Sequence, residues 1–147
     1  MKHKRIFMAL LAAAMLTASA FAADFAKRNT YLIGMFTDVG TSDWFEPSVG
    51  AAYELGFVQG VGNGAFSPMG TMTAVEAITI AARVNDAYYA KNTAFANGSV
   101  HWYDEYVTYA LENGIIQDGD FDDYDRNIKR WEMAAVFANA LPKRFLP

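Results

Sequence analysis

The sequence predicts an all-α protein, two helix–loop–helix repeats packed together behind a cleaved leader. Three observations predict it. A stretch occurs twice: Trp44 to Phe57 returns as Trp102 to Ile115, each with Trp followed by an aromatic, then Val at +5, Ala at +8, Glu at +10 and Gly at +12. Phe45/Val49/Ala52/Tyr53 and Tyr103/Val107/Ala110/Leu111 fall at i, i+4, i+7 and i+8, which makes one apolar stripe on an α-helix. Each copy closes on a glycine, Gly56 or Gly114, a residue suited to the left-handed position that ends a helix.

The chain opens with a leader. Lys2, Lys4 and Arg5 precede an apolar run from Ile6 to Leu16, and Ala20-Phe21-Ala22 places small residues before a cut after Ala22. That order is the one a secretory signal peptide needs, and the run is about half of a membrane span. Residues 1–22 are therefore expected to be removed, and the protein exported. The net charge of −4 becomes about −7 once the leader's three basic residues are gone. Nucleic acid and anionic lipid both require a basic face, so neither is an expected partner. The chain has no cysteine, which excludes thiol catalysis, zinc–cysteine sites, disulfides and a lipidated N-terminal cysteine. Residues 141–147 contain no apolar span, so retention at a surface is expected to be non-covalent.

Residues 23–35 read as a lead-in that packs Tyr31, Leu32 and Ile33 against the first repeat, residues 36–90. Within that repeat, Gly40-Thr41-Ser42-Asp43 is a polar turn before a helix beginning near Trp44, where Pro47 is tolerated in the first turn. Gly60, Gly62 and Gly64 make the following segment a loop. It lacks the lysine and the strand-to-helix setting of a phosphate cradle. Thr73-Ala74-Val75-Glu76 reads as a capping box, opening a helix that runs to Arg83 and on towards Tyr88. The second repeat, residues 91–147, keeps the scheme. Phe95-Ala96-Asn97 stands where Phe36-Thr37-Asp38 stood, a helix runs from about Trp102 to Asn113, and the loop Asp118–Asp125 is shorter and far more acidic. The last helix carries a stripe at Met133, Val136, Phe137, Ala140 and Leu141 and stops before Pro142.

Taken together, these motifs over residues 36–83 and 95–141 resemble the S-layer homology module. The resemblance implies helix–loop–helix units that, usually in threes, bind secondary cell-wall polysaccharide, often pyruvylated, and hold exported proteins on the envelope. The expected location is the cell surface or cell wall, and the expected partners are that polysaccharide or other proteins with such units. With a third unit missing here, oligomerisation is one alternative and a shortened or diverged member is another. The family's motif has Thr-Arg-Ala-Glu, whose Arg lies in the sugar-binding groove. Residues 73–76 lack that Arg, whereas Lys129-Arg130-Trp131-Glu132 keeps it and loses the capping Thr.

Arg130 is thus the first candidate for a glycan contact, since its planar fork can hold a ketal carboxylate bidentately beside a helix N-terminus. The alternative is an ion pair with the Asp122–Asp125 run. Lys129 adds charge, and Trp131, in the first turn of the last helix, is a platform for a sugar face. Trp44 and Trp102 are stacking candidates too, with packing between repeats as the alternative. Thr73, Glu76 and Glu132 are read as capping residues. Calcium is not expected in the acidic loop, because an EF-hand alignment puts Asp123 where glycine is needed and Lys129 where the bidentate Glu belongs. No metal or cofactor is expected. Catalysis is not expected either: the exported chain holds one histidine, His101, and its carboxylates fall at capping and loop positions.

Overall fold

A computed structural model describes residues 25–142. Residues 1–24, with the expected leader at 1–22, and the tail from 143 lie outside the described residues. These contain four α-helices and no strand: α1 (Glu46–Glu54), α2 (Ala74–Tyr88), α3 (Asp104–Glu112) and α4 (Arg130–Ala140). All-α is the class the sequence predicts. The two tryptophan helices start two residues late, because Phe45 and Tyr103 occupy the cap positions and α1 places Pro47 in its first turn.

Both copies end in the same way. The amides of Gly56 and Phe57 donate to the carbonyls of Tyr53 and Ala52, and those of Gly114 and Ile115 donate to Leu111 and Ala110. This pair of bonds requires positive φ at the glycine, and the values are +76° and +67°. The lead-in then finishes α1: Arg28 and Asn29 donate their amides to Glu54, and the Asn29 side chain donates to the Tyr53 carbonyl. Of the three residues expected to pack, Tyr31 does so against Phe36 and Tyr53. Leu32 and Ile33 instead stay about 70% exposed, in a turn too short to turn three successive side chains inward.

The main core surrounds α2. Ala74, Ile78, Ala81 and Ala82 pack with Tyr106, Tyr109 and Ala110 of α3, Ile115, Ile116 and Phe121 of the following loop, and Val136 and Ala140 of α4. A smaller cluster of Phe36, Val39 and Val49 lies under α1. The α3 stripe is rotated from the expected one: Leu111 is exposed, while Tyr106 and Tyr109 are buried. Burial of a phenol requires a partner for its hydroxyl. The partners come from α2, where Asn85 accepts from Tyr109 at 2.8 Å and Arg83 donates to Tyr106 at 2.8 Å. Periodicity within α3 carries no trace of either.

Helices α2 and α4 begin side by side. The amides of Ala74 and Val75 donate to the carbonyls of Arg126 and Tyr124, and the Ile128 amide donates to Met72. Everything near the starts of these two helices therefore lies at one end of the molecule.

Candidate functional site

At that end, the capping chemistry decides which side chains remain free. Thr73 caps α2 as the sequence predicts, with Oγ1 accepting from the Glu76 amide and Glu76 accepting from the Thr73 amide. At α4 the reciprocal half is missing, since lysine has no acceptor, and only Glu132 acts, accepting from the Lys129 amide at 2.9 Å. Its carboxylate is also gripped by Arg126 through two bonds of 2.8 Å. Those bonds and the Lys129 amide hold the Glu132 carboxyl down at about 2.

Arg126, and not Arg130, therefore answers the acidic loop: its Nε lies 3.6 Å from Asp122. Two other loop carboxylates serve the loop's own backbone, Asp120 accepting from the Gln117 amide and Asp123 from the Asp125 amide. Arg130 is exposed and has no ion pair among the described residues. It sits in the first turn of an 11-residue helix, where unpaired backbone amides favour an anion. Trp131 beside it is 67% exposed, and the Lys129 ammonium lies 6.0 Å from its ring centroid. Two cations and an aromatic face thus surround one helix start.

The remaining candidates divide. Trp44 is 88% exposed, edge-on to Phe45, and takes no part in the expected packing between repeats. Trp102 is half-exposed and forms the rim of a groove of about 480 Å³, walled by the loop after α1 and by α2. Asp38 holds the loop wall in place by accepting from the amides of Phe66 and Ser67, and these bonds lower its pKa. Ser67 adopts φ +62° there. Glu76, Thr79 and Arg83 of α2 form the groove's polar strip. Sequence reasoning missed Thr79 and Arg83. The signal was available, because Glu76, Thr79 and Arg83 stand at i, i+3 and i+7, one face of a helix, and Arg83 is the helix's sole basic residue.

A second, wider groove runs along α3 past Asp104 and Glu105. Its carboxylates are engaged locally, Asp104 with the amides of Val100 and His101 and Glu105 with that of Ala96. Among the described residues no group of His, Cys, Asp or Glu is arranged to hold a metal ion. No helix among them is long and apolar enough to cross a membrane.

Residues 36–73 match the family model of the S-layer homology domain. A cell surface protein of Thermoanaerobacter kivui is 28% identical over 106 residues, which is 72% of this chain. The matched stretch spans only 12% of that much longer relative. No solved structure matches.

Proposed function

We propose, from the match of residues 36–73 to the S-layer homology domain, that this chain is a non-catalytic module holding its bearer at the cell surface. It binds a secondary cell-wall polysaccharide non-covalently, after export and removal of residues 1–22. Residues 36–90 and 91–147 are its two repeats, and the second carries the stronger site. The observation that supports this reading is the exposed, unpaired Arg130 between Lys129 and Trp131. A guanidinium at a helix start suits a carboxylate such as the ketal of a pyruvylated sugar, while Trp131 offers a flat apolar face to the ring. The likeness to a cell surface protein points the same way.

The test is co-sedimentation of the purified chain with cell-wall sacculi before and after the secondary polymer is stripped. Retention is expected only with the polymer present and is expected to fall sharply in Arg130→Ala. Unchanged retention of that variant rejects the site.

One observation favours a second reading, pairing with another such unit at the surface. Tyr106 and Tyr109, which dock α3 onto α2, are buried, but the matching positions on α1, Ser48 and Ala51, are exposed. Retention that survives removal of the polymer but depends on a second envelope protein would favour this reading.

A further inference from the structure

We propose that α4 is the docking face for a second copy of this chain, which seats its α1 and its segment 68–71 there, head to tail. This rests on the pairing reading above and names its partner. The first support is a contact that the chain already makes once within itself. Arg83 donates to the Phe57 carbonyl and Asn139 to the Ile115 carbonyl, so α2 and α4 sit alike on the segment that follows each tryptophan helix. They differ in what covers them. Ala74, Val75 and Ile78 of α2 are buried, with Ala74 and Ile78 in the core shared with the second repeat. Arg130, Trp131 and Ala134 hold the matching positions on α4 and are exposed, as is Ala135. Trp131, Ala134 and Ala135 fall at i, i+3 and i+4, one apolar face of the helix.

The second support is the backbone. A helix start leaves its first amides without an internal acceptor. At α2 the next repeat supplies acceptors: Ala74 donates to the Arg126 carbonyl and Val75 to that of Tyr124. At α4 the amides of Arg130 and Trp131 have no acceptor among the described residues. The counterparts of Arg126 and Tyr124 in the first repeat are Gly70 and Pro68, whose carbonyls accept no bond among the described residues. Met69 between them is 90% exposed. Donors at one end of the chain and acceptors at the other thus repeat the pairs that join the two repeats. The helices agree with this. Ser48 and Ala51 of α1 are exposed in the positions by which Tyr106 and Tyr109 dock α3 onto α2. Small residues on both faces, Ser48 and Ala51 against Ala134 and Ala135, allow the helices a close approach. Since the two faces differ, the contact is heterologous. Trp131 belongs to this face and is also a polymer contact in the first reading, so a second copy and the polymer compete for it.

The test is the mass of the purified chain in solution by sedimentation equilibrium, which should rise above one chain as concentration increases. Ala51→Arg and Ala135→Arg both change exposed residues. Each would bury an unpaired charge on docking and should weaken association by more than about tenfold. Each variant keeps one face intact, so mixing the two should restore a dimer that neither forms alone and that grows no further. A mass of one chain at every concentration up to about 1 mM overturns the inference. So does association that both substitutions leave untouched, or that mixing fails to restore, the mark of a contact between like faces. If the chain is monomeric and its retention on sacculi still needs a second envelope protein, the pairing reading stands and the second copy is excluded as its partner.

Discussion

Arg126 and Glu132 are joined by two parallel hydrogen bonds of 2.8 Å, Nη1 to Oε2 and Nη2 to Oε1. The carboxylate is 5% exposed and the guanidinium 26%. Two arginines lie four residues apart at the start of α4, and the structure separates them: Arg126 neutralises the buried acid, and Arg130 has no ion pair among the described residues. Arg126→Ala would strand the Glu132 charge in a place water barely reaches. It is expected to lower Tm by several degrees, whereas Arg130→Ala leaves Tm unchanged. Thermal unfolding followed by circular dichroism separates the two.

The same pair makes stability depend on acid. The folded Glu132 pKa, about 2, lies below the usual value of 4.5, so folding favours the ionised form. Its contribution is fully present above the unfolded pKa and is lost as pH falls from about 5 towards 2. Asp86 adds to the slope. Burial raises its pKa, but hydrogen bonds from Thr93 and the Arg28 ion pair outweigh that and leave it lowered. Tm should therefore fall across this window, and less steeply in Glu132→Gln.

Thr79→Val should stabilise the free protein by about 1 kcal/mol, since it replaces an unpaired buried hydroxyl by a methyl of the same size. Urea unfolding gives the figure.

Asn85 ties three helices together. It accepts from the Tyr109 hydroxyl at 2.8 Å and donates to the Ala140 carbonyl at 2.9 Å, all within the core. Asn85→Ala leaves both groups unpaired and should cost roughly 1–3 kcal/mol. Tyr109→Phe removes one of the two bonds, so the double variant should lose less than the sum of the singles in a mutant cycle.

Around Arg130, the two neighbours should matter unequally. Trp131→Ala removes an exposed aromatic platform and should reduce retention on sacculi in any salt. Lys129→Ala should weaken it mainly at low salt, because an exposed charge is screened. Sedimentation at two ionic strengths compares them. Equal salt dependence in both variants would reject this division of roles.

Much of the fold was legible in the sequence because its causes are local. A glycine two residues after a Glu, twice, predicts the helix ends at Gly56 and Gly114, and Thr73 with Glu76 predicts the α2 cap. These depend on the conformational freedom of single residues and on bonds spanning a few positions. The α3 face was not legible in the same way, since Tyr106 and Tyr109 turn inward only because α2 supplies Arg83 and Asn85. Trp44 and Trp102 also read alike in the sequence. One stands in solvent and the other rims a groove.

By itself, the sequence determined that this chain is helical, that a tryptophan helix recurs in it, and that Lys129, Arg130 and Trp131 open the last helix, because short-range periodicity and capping control all three. Only the packed chain shows that Arg126 takes the acidic partners, that Arg130 has no ion pair among the described residues, and that Thr79, Arg83 and Trp102 line one groove. Those outcomes depend on which distant groups compete for the same hydrogen bonds, and only the packed chain brings the competitors within reach.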